Sequence, residues 1–183
     1  MPDSPVRSAV VLADGTVVDI EPMRSTDGAR LDQFHHTLSG ETIQFRFFSV
    51  HPELSDQELH RFTHVDHQNR EALVAVHDDL IVGVARFDRL GDGSDEAEVA
   101  FVVADAWQGR GLGKVLFERL AARAREIGIT RFVAETLFRN RRMLTVFRAT
   151  GLPRAERIEG DVVHVVLELG PPAIPTAVLP GSE

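Results

Sequence analysis

The segment Gln108-Gly109-Arg110-Gly111-Leu112-Gly113-Lys114 carries the strongest chemical signal in the chain. Glycines at alternate positions let backbone come close to a ligand. The unpaired N–H groups of a first helical turn, with the helix dipole behind them, then form an anion site. A phosphate or pyrophosphate suits such a site, and spacing restricts which one. A P-loop needs Gly, four residues, then Gly-Lys-Ser/Thr; here Gln108 stands five before Gly113 and Val115 follows Lys114, so both tests fail. The dinucleotide fingerprint Gly-x-Gly-x-x-Gly fails at its last position, which is Lys114. What remains is Gln-x-x-Gly-x-Gly, with a tight strand-to-helix turn that binds nothing as the competing reading.

The elements that must position this loop are legible from pattern. Residues 9–13 and 16–20 are β-branched runs around Asp14-Gly15, a type I′ dipeptide, and predict a hairpin. The stretch 26–29 caps a helix through Leu31, Phe34, His35 and Leu38 that stops near Gly40. A dense aromatic segment at 43–48 follows, then a capping box at 55–58 that opens a short helix through Leu59 and Phe62. Residues 72–76 and 81–87 form a second hairpin about Asp78-Asp79, and 98–103 the next strand. From there the elements alternate: a helix at 111–127, a strand at 131–136, a helix at 141–150 stopped by Gly151, and a strand at 161–169. This describes an α/β protein with one mixed, mostly antiparallel sheet and helices on both faces. Residues 1–170 read as a single domain, and 171–183, with four prolines, as a Pro-rich tail.

Composition narrows the class. At 183 residues and 43% hydrophobic content, a packed core is available and disorder is excluded. No cysteine is present, so disulfides, thiolate metal sites and a cysteine-borne acyl intermediate are ruled out; no tyrosine is present either. The net charge of -8 argues against nucleic-acid binding, and the absence of a signal sequence or a long apolar run argues against a membrane partner, leaving a cytoplasmic protein as the expectation. Lys114 is the sole lysine among 20 cations. His60, His64 and His67 share a helical face at metal-ligand spacing, but a helix-end cap at His64 or a substrate-channel wall accounts for it better, and no metal is expected.

The Gln108 to Gly113 pattern resembles the acetyl-CoA loop of the GNAT superfamily of N-acetyltransferases. Glu98 in the preceding strand agrees with it. So do Asn140 opening the helix after the next strand, and the run Asn140, Met143, Phe147, Gly151-Leu152. More narrowly, Phe45-Arg46-Phe47-Phe48, Leu54-Ser55, Thr63 to Asp66 and Ala97 to Phe101 resemble the catalytic domain of bacterial Pat-type protein lysine acetyltransferases. Some of those carry a fused cyclic-nucleotide domain, for which this chain has no room.

The resemblance implies a GNAT fold over about residues 17–169, acetyl-CoA as cosubstrate, and direct attack of a primary amine on the thioester. A lysine amine has a pKa of ~10.4, so removing its proton at pH 7 is worth roughly 4 to 5 kcal/mol. Glu98 is the implied general base, acting directly or through a water, with Glu96 and Glu135 less favoured. Its apolar strand neighbours would raise its pKa; the rival reading is an exposed strand-end carboxylate paired with an arginine such as Arg86. Backbone amides near Val102, Val103 and Ala104 are implied to hold pantetheine and polarise the carbonyl. Gln108, Gly109, Arg110, Gly111, Leu112, Gly113 and Lys114 are expected around the pyrophosphate, with Asn140 and Phe147 completing the cofactor site. Phe147 stands where the family often has a proton-donating tyrosine. Trp107 either walls the cofactor or covers the core. Phe45, Arg46, Phe47 and Phe48 are the expected acceptor-binding residues, and Asp66, Asp88, Asp92, Asp95 and Glu96 could draw a cationic acceptor. A protein lysine is the implied acceptor. A small amine such as a polyamine or aminoglycoside, or a non-catalytic acetyl-CoA sensor, are the alternatives, and no oligomeric state is implied.

Overall fold

β-Branched runs and two tight turns build the first half of an eight-stranded sheet, seen in a computed structural model that describes residues 7–171. β1 (Ser8–Val11) pairs antiparallel with β2 (Val17–Pro22), and β3 (Arg70–His77) with both β2 and β4 (Leu80–Arg89). Type I′ geometry falls at Asp78-Asp79, with φ of 49° and 63°, rather than at Asp14-Gly15. In that first hairpin the Gly15 amide donates to Leu12 O and of the two turn residues only Gly15 is left-handed, so the turn is type I closed by a glycine bulge.

β5 (Glu96–Val103) lies antiparallel to β4, and β6 (Arg131–Leu137), β7 (Arg154–Glu159) and β8 (Val162–Glu168) complete the order β1-β2-β3-β4-β5-β6-β8-β7. The expected mixed, mostly antiparallel sheet is present. Its one parallel pair is β5–β6, since a helix, α4 (Leu112–Glu126), crosses over between them. That pair is short. It holds Glu96, Ala97 and Glu98 against Arg131, Phe132 and Val133, and then the strands part.

Helices cover both faces. On one lie α4 and α5 (Arg141–Ala149), and α4 buries Leu112, Leu116, Phe117, Leu120, Ala121 and Ala124 in a core with Val99, Phe101 and Phe132. On the other lie α1 (Gly28–His36), α2 (Gly40–Phe47) and α3 (Asp56–Thr63), around a smaller core of Leu31, Phe34, Leu54, Val74 and Val84. The Ser55–Glu58 capping box forms as its spacing predicts. Two elements differ from the sequence reading. The aromatic segment belongs to α2, whose first turn is capped by Ser39 accepting from the Thr42 amide. β7 is an added edge strand, exposed along its whole length. Among the described residues no helix is long and apolar enough to cross a membrane. The tail beyond Pro171 lies outside the described residues.

Candidate functional site

The parting of β5 from β6 exposes a row of backbone groups. In the antiparallel β4–β5 ladder the Ala104 amide donates to Val82 O at 2.9 Å. The alternation of that ladder then turns Ala100 and Val102 toward β4, and the amides of Val99, Phe101 and Val103 toward the gap. Of the three amides expected to hold a pantetheine arm, Val103 is so placed. Val102 and Ala104 are committed to the sheet, and it is the amides of Val99 and Phe101 that face the gap with Val103, a shift set by strand parity.

The glycine loop follows at once. A 3-10 turn at Asp105–Trp107 leads into Gln108, and Gly109 and Gly111 take positive φ of 75° and 84°. Gly111 is the N-cap of α4 and offers no side-chain cap. Among the described residues, nothing accepts a hydrogen bond from the six consecutive amides of residues 109–114; the first committed one is Val115, which donates to Gly111 O at 3.2 Å. Open space surrounds the Cα of Gly109 and of Gly111. Six unpaired N–H groups, at the positive end of a 15-residue helix, fit a pyrophosphate. The residues present therefore fit the acetyl-CoA that the loop pattern implies.

Individual loop residues divide into two groups. Gly113 does not open space for a ligand: a Cβ there would sit 3.2 Å from Val146 Cγ2, so this glycine lets α5 approach α4. The Leu112 side chain is buried, leaving only its amide for a ligand. Gln108 holds the loop. Its Nε2 donates to Val103 O at 3.0 Å and Thr42 Oγ1 at 3.3 Å, and its Oε1 accepts from Arg142 on α5. Arg110 lies over the Trp107 ring at 4.8 Å and pairs with Asp14 at 3.2 Å, while exposed Lys114 stands 3.6 Å from Glu118. Trp107 is half-buried and packs against both cores.

The two residues expected on the far side of the cofactor site both have structural roles. Asn140 caps α5, accepting from the Met143 amide at 3.2 Å. Phe147 is 2% exposed and lies edge-on to Phe101 and Phe117, as a core residue does.

Glu98 is the last β5 residue paired with β6, and its side chain is exposed at the mouth of the gap, on the α1–α3 face. The expected apolar enclosure is absent, because Val99 and Phe101 point to the opposite face. The rival pairing with Arg86 is absent too: Arg86 lies nearest Asp88, at 3.9 Å. Glu98 is one of two carboxylates whose charge acts on Arg46. Burial lowers the Arg46 pKa, and the charges of Glu98 and Asp88 partly restore it. Glu135, the weaker candidate, is 3.0 Å from His164, and Glu96 is ion-paired with Arg131.

Beside Glu98, on the same sheet face, a cavity of about 40 Å³ lies over Ala100 and Val102, closed by Phe47, Phe62, Arg46 and Arg86. Arg86 is 6% exposed, and burial first, then the charges of Arg46, Arg70 and Arg61, lower its pKa to about 10 against the pull of Asp88. Of the four expected acceptor residues, Arg46 and Phe47 reach this cavity. Phe45 packs under Arg139 at 5.6 Å, and Phe48 is exposed at the left-handed C-cap of α2. Of the acids expected to attract cations, Asp66 accepts from the amides of Gln68, Asn69 and Arg70, Asp95 accepts from Thr130, Asp88 stands 3.4 Å from Arg61, and Asp92 is exposed. His64 bonds back to His60 O, as a helix-end cap does, and His67 bonds to Glu71.

Comparison with known proteins agrees with this geometry. The profile of the acetyltransferase (GNAT) family matches residues 36–152. An acetyltransferase of Pseudomonas aeruginosa is 35% identical over 162 residues, 86% of each chain. The acetyltransferase Pat of Mycolicibacterium smegmatis is 33% identical over 76% of this chain, which spans 41% of that protein's length. The crystal structure of the GNAT domain of S. lividans PAT superposes with a TM-score of 0.84 at 40% identity, covering 88% of this chain and 96% of that one.

Proposed function

The chain belongs to the acetyltransferase (GNAT) family, which uses acetyl-CoA, and we propose that it acetylates a protein lysine side chain with Glu98 as general base. The observation that carries the reading is the place of Glu98. Its carboxylate stands where the sheet opens, one residue before the first amide that faces the gap.

Acetyl-CoA, when bound, supplies the thioester carbonyl that the amine attacks. The six amides of the glycine loop receive the pyrophosphate, and the β5 amides of Val99, Phe101 and Val103 face the arm that leads to the thioester. An acceptor lysine arrives protonated, at a cost of roughly 4 to 5 kcal/mol for the free base at pH 7. Glu98, solvent-accessible at the mouth, takes that proton directly or through one water. The amine attacks without a covalent enzyme intermediate, since no cysteine exists to carry the acetyl group. With Phe147 sealed in the core, the proton needed by the departing sulfur comes from solvent or from Glu98 itself. A lysine acceptor is supported by the Pat-type pattern of 45–48 and 97–101 and by the apolar wall of Phe47 and Phe62 beside Glu98, which suits an aliphatic stem.

A thiol-release assay with lysine peptides and with a panel of polyamines and aminoglycosides tests this. Turnover of peptides only, lost by 100-fold or more in Glu98→Gln while coenzyme A affinity stays within about 2-fold, is the expected result. Turnover of the small amines alone would reject the lysine acceptor, an unchanged Glu98→Gln rate would reject the base, and binding without any transfer would make the protein a sensor.

A further inference from the structure

Arg86 sits mid-strand on β4, under α1, α2 and α3, and is almost wholly buried. A buried guanidinium is ordinarily tied by several hydrogen bonds, because each buried donor left unpaired has lost its water without a replacement. This one is incompletely tied. Among the described residues Arg86 Nη2 has no hydrogen-bond partner, and neither has Asp88 Oδ1, the carboxylate oxygen nearest to it at 3.9 Å. Phe62 covers the flat face of the guanidinium at 4.6 Å, so hydrogen bonding is left to the edge. That side chain lines the cavity over Ala100 and Val102, with Arg46 beside it.

The charge count around the cavity is lopsided. Arg46, Arg61 and Arg70 all act on Arg86; the carboxylate that acts on Arg86 is Asp88, itself shared with Arg61 at 3.4 Å, while Asp66 faces Arg70. Glu98 acts on Arg46, but as the proposed base it becomes neutral on taking a proton. A surplus of cations at an acceptor cavity is unexpected in a chain with a net charge of -8. The surplus needs an anion from outside, and a cavity of about 40 Å³ has room for a group the size of a carboxylate and not for a long chain.

Taking Glu98 as the point of transfer, we propose that the acceptor amine belongs to a molecule that also carries a carboxylate, which docks on the Arg86 guanidinium edge with Arg46 alongside. Ala100 and Glu98 are two residues apart on one face of β5, so the carboxylate and the amine are separated by roughly 6 to 8 Å. That span excludes an α-amino group acetylated beside its own carboxylate. It fits a lysine beside an acidic residue in a protein, or a small ω-amino acid.

The test compares matched acceptors that differ only in the carboxylate: a peptide with Lys beside Glu against the same peptide with Gln, and 6-aminohexanoate against 6-aminohexanamide. In each active pair the carboxylate member is expected to have a kcat/KM at least 10-fold higher, and that ratio is expected to fall to about 1 in Arg86→Gln. Preference within the peptide pair alone identifies a protein source, and within the small-molecule pair a free amino acid; ratios near 1 in the wild-type protein overturn the proposal. A thermal melt with hexanoate, against hexanamide, reads the anion site without turnover. At millimolar hexanoate the wild-type melting temperature is expected to rise by about 2 °C or more, and the Arg86→Gln melting temperature not to rise. If no amine is acetylated but hexanoate still stabilises through Arg86, the transfer reading fails and the anion site stands. If hexanoate has no effect on the wild type, the site itself is refuted.

Discussion

The carboxylate of Asp105 accepts hydrogen bonds from both the backbone amide and the hydroxyl of Ser39, at 2.9 and 2.7 Å, across 66 residues of chain. Ser39 is the N-cap of α2, and Thr42 in the first turn of that helix adds a third bond to Asp105 at 2.8 Å. Gln108 then reaches back to Thr42. The turn that opens the glycine loop and the helix that carries Arg46 and Phe47 are thus fastened at one point, so cofactor loop and acceptor wall share a support. Replacing Asp105 with Ala leaves the Ser39 and Thr42 donors to water and frees α2. The expected cost is about 1 to 2 kcal/mol, a drop of roughly 2 to 8 °C in melting temperature, because bonds to a charged acceptor are worth more than neutral ones but this carboxylate is partly solvated. A rise in KM for the acceptor larger than the rise for acetyl-CoA would show that α2, more than the loop, depends on the clamp.

The same carboxylate gives a pH signature. Burial pushes the Asp105 pKa up, but the Ser39 amide, the Ser39 hydroxyl and the Thr42 hydroxyl together outweigh it and hold the group below its ordinary value. A carboxyl whose folded pKa is depressed adds stability that is complete above its unfolded pKa, near 4, and that is lost as pH falls through the folded value. The stability gap between wild type and Asp105→Asn is therefore expected to be constant from pH 5 to 7 and to shrink below pH 4. Denaturant titrations at these pH values measure it, and a gap that widened on acidification would contradict the assignment.

Much of this arrangement is written in local sequence, and the rest depends on distant partners. The glycine loop, the Ser55 capping box and the alternating second half follow from spacing alone, because each is governed by residues within one turn of one another. α2 is harder to see: Ile43, Phe45, Phe47 and Phe48 are good strand formers, and the cap at Ser39 that decides for helix also needs Asp105. β7 leaves no apolar trace, since as an exposed edge strand of arginine and glutamate it is held by backbone bonds to β8. The environment of Glu98 is misread for a reason of parity. Val99 and Phe101 lie on the far face of the strand, and the charge of Glu98 acts instead on Arg46, brought there by α2.

Phe147→Tyr tests whether the family's tyrosine position retains a chemical role in this chain. The ring is enclosed by Phe101 and Phe117 in the core under α4 and α5, with no polar partner among its ring neighbours. A hydroxyl added there is buried without a hydrogen bond, so the variant is expected to lose about 1 to 3 kcal/mol of stability and to gain no rate. Calorimetry and the thiol-release assay at saturating acceptor separate the two effects. A severalfold gain in kcat would mean that the phenol reaches the reacting sulfur after all, and that the core at this point opens during turnover.

Gly111 and Gly113 stand two residues apart in one motif and serve different ends, which paired alanine variants can separate. Gly111 has a φ of 84° and open space around its Cα, so Gly111→Ala is expected to cost about 1 to 2 kcal/mol in backbone strain and to weaken coenzyme A binding at least 10-fold as the N-terminal amides turn away. At Gly113 the backbone is helical and the obstacle is Val146 Cγ2, 3.2 Å from where an alanine methyl would sit. Gly113→Ala gains up to about 1 kcal/mol of helix propensity, opposed by roughly 1 to 3 kcal/mol of overpacking between α4 and α5. Val146→Ala removes the obstacle, so Gly113→Ala is expected to be destabilising alone and neutral or stabilising in the Val146→Ala background. Coenzyme A affinity should stay within about 3-fold in both, as measured by titration calorimetry. Should Gly113→Ala abolish binding as Gly111→Ala does, even with Val146 truncated, the third glycine would belong to the ligand and not to the helix contact.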